Sequence, residues 1–176
     1  MNVHEAIKNR REITSFSSRE IDAEKLERVV DSGYMAPAGN NLPSREFVVI
    51  TDQDILKKMS HATPFMGWLA DSQAGIVVTG RPDVSKYWLQ DASIASGFLW
   101  LASTEEDLGA AFGAIYHSED ESESEKRENH VRRLAGIPDD RRIVAVIGIG
   151  EADENPKPKD HLPFDEMVHY GKFKQS

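Results

Sequence analysis

The sequence predicts an α+β fold, with about four strands set among five or six helices in one domain over residues 1–176. Two observations carry this. Four short apolar runs, at 46–51, 75–80, 109–116 and 143–150, read as strands, and all but 109–116 are rich in β-branched residues. Between them lie segments with apolar residues at helical spacing, the longest at 88–107. With 39% hydrophobic and 29% charged residues, the chain has the make-up of a globular domain with a real core.

Taken in order, Val3, Ala6 and Ile7 share one face of a short helix over 2–10 that ends near Arg10 and Arg11. Asp22 is the N-cap of a second helix over 23–36, carrying Leu26, Val29, Val30 and Tyr34 on one side. "APAGNNLP" (36–43), with two Pro, a Gly and two Asn, is loop chemistry, and "EFVVIT" (46–51) reads as a buried strand. "DQDILKKMSHA" opens on acids and reads as a helix, "GWLADSQ" as a short helical piece, and "GIVVTG" as the second strand. In 88–107, small residues such as Ala92, Ala95, Ser96 and Gly97 allow close backbone approach, while Trp88, Ile94, Phe98, Leu99 and Trp100 occupy more than one face. A helix apolar on most sides is buried on most sides, and a second subunit would bury the extra face. "GAAFGAIY" is a third strand or turn-strand, and "HSEDESESEKRE" (117–128) reads as a solvated loop or frayed helix start. A helix then ends in a basic last turn, with Gly136 as cap and Pro138 beyond, before the strand "IVAVIGIG". The tail is polar and Pro-rich, then regains Phe164, Met167, Val168, Tyr170 and Phe173, so it is expected to dock on its own domain or on a partner.

Charge and composition exclude several functions. Net charge is -9, which argues against nucleic acid or anionic lipid as the main partner. The acid is concentrated between Thr104 and Asn129, whereas residues 1–45 are balanced, so the N-terminal region can still receive an anion. No apolar run is long enough for a membrane span and the N-terminus lacks an apolar signal core, so the cytoplasm is the expected compartment. Without cysteine there is no disulfide, thiolate nucleophile or zinc–thiolate site. The six histidines show no metal spacing, and "VIGIGEAD" lacks the third glycine of a dinucleotide fingerprint. No metal site is expected.

Three stretches remain. "RREIT" offers guanidinium groups suited to phosphate, although a basic helix end needs no ligand to explain it. "APAGNN" could present backbone N–H groups and a side-chain amide to a planar polar ligand, and "KPKDH" adds distant cations; each alone also reads as ordinary loop or tail.

In this order and spacing the stretches resemble the FMN-dependent nitroreductase family over nearly the whole chain. Arg10-Arg11-Glu12-Ile13-Thr14 stands where members carry Arg-Arg-Ser-x-Arg. Residues 36–47 are similar to the family's Ala-Pro-Ser-x-x-Asn-x-Gln-Pro-Trp-x-Phe, 91–113 to its long helix and following segment, and 157–161 to its Lys-x-Arg. The resemblance implies a mixed, mainly antiparallel central sheet flanked by helices, in an intertwined homodimer with two FMN sites at the interface. It implies that Arg10, Arg11 and Glu12 hold the phosphate and ribityl end, with Lys159 and His161 reaching the same phosphate. Thr14 falls near the flavin's N1–O2 edge, Ala38, Gly39 and Asn41 come from the partner chain, and Ala111, Phe112 and Gly113 run beside the isoalloxazine. The implied reaction carries a hydride from NADH or NADPH through flavin N5 to a nitroaromatic, quinone or similar small acceptor, in ping-pong order. The alternative is a flavin-binding protein with little turnover, since Glu12, Thr14, Ala38 and His161 all depart from the family pattern. The Glu12 carboxylate must turn away from a phosphate or pair with Arg10 or Arg11, and Arg45 or Arg11 would supply the charge missing at Thr14. Segments 63–75 and 117–128 are the lid candidates, and both are short.

Overall fold

Two strands, β2 (Ala74–Gly80) and β4 (Arg142–Gly150), pair antiparallel through the middle of the molecule, with Val77 opposite Val146. Both lie under helices on either face, which is why they read as continuous apolar runs rather than alternating ones. β1 (Arg45–Ile50) joins β2 on one side and β3 (Gly109–Ala114) joins β4 on the other, giving the order β1-β2-β4-β3 with every pairing antiparallel. The computed structural model describes residues 1–173. The α+β class and the antiparallel character of the sheet agree with expectation.

One face of the sheet is covered by α2 (Ala23–Tyr34) and α4 (Trp88–Glu105), whose Val29, Leu99 and Ala102 pack on Val78, Ile147 and Ile149. The two helices approach closely at Gly33, where an added Cβ would stand 2.5 Å from Leu99 Cδ2. The other face is covered by α3 (Gln53–Met59) and α5 (Glu121–Ala135), with Leu56, Met59, Leu69 and Val131 on Val77 and Val146. Asp22 caps α2 by accepting from the Glu24 N–H, and Gly136 closes α5 at φ 66°, a left-handed cap that glycine takes without strain.

Three local expectations change. β1 is an edge strand, not a buried one, and Val49 is 41% exposed. Its composition matches that of a central strand, so only the order of strands distinguishes them. The acidic stretch 117–128 is mostly the first two turns of α5, capped by Asp120, and Glu128 is buried rather than solvated. Glu128 accepts from Arg142 Nη2 at 2.7 Å, the Ile143 N–H at 2.9 Å and Ser124 Oγ at 2.9 Å. Arg142 in turn lies over the rings of Trp88 and Tyr116, so α5 is fastened to the start of β4. Finally, the apolar tail residues do not dock on their own domain. Leu162, Phe164, Met167, Tyr170 and Phe173, around the single turn α6 (Phe164–Met167), are exposed, as are Ile94 and Phe98 of α4 and Val3 and Ile7 of α1 (Val3–Asn9). Among the described residues no helix is long and apolar enough to cross a membrane.

Candidate functional site

α1 ends at Arg10, where the backbone turns extended and becomes a strap along the outer edge of β3. The Ile13 N–H donates to the Ala110 carbonyl at 3.0 Å, and the Ile13 side chain fills the space a Cβ on Gly109 would need. Trp100 of α4 fixes the strap from below: its indole N–H donates to the Arg11 carbonyl at 3.1 Å. The Arg10 guanidinium lies 4.5 Å from the centre of the same ring, whose other neighbour is Phe112, stacked at 6.1 Å. Arg11 Nη1 donates to the carbonyls of Lys8 and Arg10, but its Nε–H is buried and has no partner among the described residues.

Glu12 turns away from both arginines. Its carboxylate accepts from the Phe112 N–H at 3.4 Å, a long bond, and among the described residues it makes no ion pair with Arg10 or Arg11. Arg10, Arg11, Glu12 and Phe112 are thus brought together. Ala111 and Gly113 flank Phe112 on the same strand and are buried; Gly113 has Met66 where its own Cβ would be.

Thr14 is held by Glu154, a residue that no motif singles out. Glu154 Oε1 accepts from the Thr14 N–H at 2.6 Å, the Ser15 N–H at 2.9 Å and the Thr14 hydroxyl at 3.3 Å. The Thr14 N–H, reinforced by that of Ser15, holds the Glu154 carboxyl below its ordinary range against a smaller opposing effect of burial. The pair is 140 residues apart in sequence, and no local pattern announces it.

The loop with Ala38, Gly39 and Asn41 lies at the other end of α4. Asp91, 3% exposed, accepts from the Gly39 N–H at 2.8 Å and from Ser44 Oγ at 2.5 Å. Asn40 and Asn41 both take left-handed backbone, at φ 55° and 53°, a conformation that costs energy and that surrounding contacts must hold. Arg45 donates to the carbonyls of Tyr34 and Ala36, tying the loop's approach to the end of α2. Asp91 and Trp100 are nine residues apart on one helix, about 13 Å. Within one chain the loop and the strap therefore stand apart. Lys159 and His161 are exposed in the tail, and among the described residues no hydrogen bond or ion pair joins them to Arg10 or Arg11. No group of three or more His, Asp or Glu among the described residues could hold a metal ion.

The nitroreductase family model matches residues 7–64, which span the strap, the loop and β1. A protein of Archaeoglobus fulgidus named as an NADH dehydrogenase/NAD(P)H nitroreductase is 33% identical over 164 residues, covering 91% of this chain and 87% of the relative. One of the same name from Methanothermobacter thermautotrophicus is 31% identical over 176 residues, covering 98% and 88%. Among solved structures, an NADH dehydrogenase/NAD(P)H nitroreductase of Bacteroides thetaiotaomicron superposes with a TM-score of 0.89 at 27% identity, covering 97% of this chain and 98% of that one. An FMN-dependent nitroreductase of Clostridium difficile does so at 0.86 and 25%, covering 96% and 98%. With identity of this order running through most of both proteins and the fold shared, the chain belongs to the nitroreductase family.

Proposed function

We propose that this chain is one FMN-binding domain of a cytoplasmic, homodimeric oxidoreductase that uses NADH or NADPH to reduce a small acceptor such as a nitroaromatic or a quinone. The observation that carries this is the buried Arg11 Nε–H, without a partner among the described residues, beside Arg10 on a strap pinned to the sheet. A buried donor without an acceptor is costly, and a phosphate oxygen relieves it. The names of the relatives support the same reading: an FMN-dependent nitroreductase and an NADPH-flavin oxidoreductase are among them.

FMN, when bound, supplies the hydride relay at N5 between the nicotinamide and the acceptor, in ping-pong order. The protein's part is binding and orientation. Arg10 and Arg11 neutralise the phosphate, and Trp100 keeps Arg10 from swinging away by stacking under it. Glu12 contributes its backbone to the ribityl end while its carboxylate stays on the Phe112 N–H. Ala111, Phe112 and Gly113 form the floor beside the ring, with Thr14 at its edge. Ala38, Gly39 and Asn41 reach the ring from the partner chain; within one chain Asp91, which holds the loop, stands about 13 Å along α4 from Trp100, which holds the strap. Lys159 and His161 complete the phosphate set. The exposed apolar residues of α1, α4 and the tail supply the surface a partner copy would cover.

A second reading, flavin binding with little turnover, is favoured by one observation: the Glu12 carboxylate already occupies the Phe112 N–H. One experiment separates them. The purified protein is examined for a flavin spectrum, then given NADH or NADPH without oxygen. Bleaching supports the reductase, yellow without bleaching supports the binding protein, and no colour after added FMN removes both.

A further inference from the structure

The strap and the start of the C-terminal tail run side by side. The Ser17 N–H donates to the Glu151 carbonyl at 2.9 Å, the Asp153 N–H donates to the Ser15 carbonyl at 3.0 Å, and Phe16 bridges to Ala152. This backbone ribbon ends at Asp153. The next hold is a side chain, the Glu154 carboxylate on the two amides of Thr14 and Ser15. Beyond it, among the described residues, no hydrogen bond crosses from 155–173 to the rest of the chain. Glu154 is therefore the last anchor of an arm that carries Lys157, Lys159 and His161.

Chain length makes the anchor's position matter. Lys159 is five residues past Glu154 and so within about 18 Å of it, while Arg11 is three residues back from Thr14, within about 11 Å. An arm rooted at Thr14 can return its cations to Arg10 and Arg11, and one rooted further back searches a larger volume at lower effective concentration.

We infer that Glu154 is a positioning residue: by clasping the root of the C-terminal arm to the strap at Thr14 and Ser15, it delivers Lys159 and His161 to the phosphate bound by Arg10 and Arg11. A carboxylate near an anion site repels the anion, so this residue serves by geometry and not by charge. The inference rests on the FMN reading of the site.

The test is the dissociation constant of FMN and of riboflavin, by flavin fluorescence quenching, for wild type, Glu154→Ala, Glu154→Gln, Lys159→Ala and the Glu154→Ala/Lys159→Ala double variant. Glu154→Ala is expected to weaken FMN about 5- to 10-fold, with Glu154→Gln recovering most of the loss because its amide oxygen still accepts. Riboflavin, which lacks the phosphate, changes less than about 2-fold, and Lys159→Ala costs far less once the clasp is gone. Equal losses for FMN and riboflavin, or fully additive losses in the double variant, overturn the inference. Wild type that binds FMN no better than riboflavin, or binds neither, instead removes the phosphate reading of Arg10 and Arg11, and the inference with it.

Discussion

Glu128→Ala is expected to destabilise the fold by about 3–4 kcal/mol, most of it from stranding what the carboxylate now receives. The Glu128 side chain is 3% exposed. Removing one member of a buried ion pair costs about 3–5 kcal/mol. Arg142 is 33% exposed and rests on two aromatic rings, so its stranded charge finds water and the ion-pair loss falls at the low end. The Ile143 N–H is backbone in a buried strand, and a buried donor left empty adds about 1 kcal/mol. Glu128→Gln keeps an oxygen for Ile143 or Arg142 and loses the charge, so it should cost about half as much. The measurement is urea unfolding at fixed protein concentration, read as a fall in midpoint with unchanged slope, or as a drop in Tm of about 6–16 °C for the alanine variant. An alanine variant within about 1 kcal/mol of wild type refutes the reasoning, as does a glutamine variant equal to alanine.

The same group predicts an acid limb. Burial pushes the Glu128 carboxyl up, but the Arg142 bonds, the Ile143 N–H and the Ser124 hydroxyl together outweigh it and leave it below the ordinary range. A carboxyl depressed in the folded state contributes stability that is complete above its unfolded value, about 4.3, and is lost as pH falls through the folded one. Wild type should therefore lose stability below about pH 4.3, with a shallower slope in Glu128→Gln. Arg11→Lys should weaken FMN about 10-fold and fail to rescue Arg11→Ala, because lysine has no Nε–H to place where the unpartnered one lies; equal affinity of Arg11→Lys and wild type counts against the site. Asp91→Ala should speed hydrogen exchange across 38–44 and weaken FMN about 10-fold, since it frees both the Gly39 N–H and the Ser44 hydroxyl; unchanged exchange shows that the loop holds itself.

Much of the fold was legible from local chemistry. Asp22 and Gly136 marked helix ends by side-chain and backbone preferences that act within a few residues. β1 misled because a strand's composition records what covers its faces and not how many of its edges are paired. Glu128 misled because five acids around it look like a solvated run, and its burial depends on Arg142, 14 residues on and in another element. The candidate residues of the strap, the loop and the tail were found through their order along the chain. What could not be read was their support. Trp100 under Arg10, Asp91 under the loop and Glu154 at Thr14 all act across 47 to 140 residues of sequence.

The strap also decides how the molecule behaves when damaged. β3 has β4 on one side only, and its outer edge would present unpaired backbone groups to any passing strand. Ile13 takes the Ala110 carbonyl and Glu12 takes the Phe112 N–H, so that edge is sealed by the first seventeen residues of the same chain. At the opposite edge, Glu46 of β1 is engaged by Arg141. Proteolytic trimming of the N-terminus would thus do more than remove two arginines: it would open a sheet edge, and the trimmed protein should self-associate and precipitate instead of persisting as a folded species without flavin.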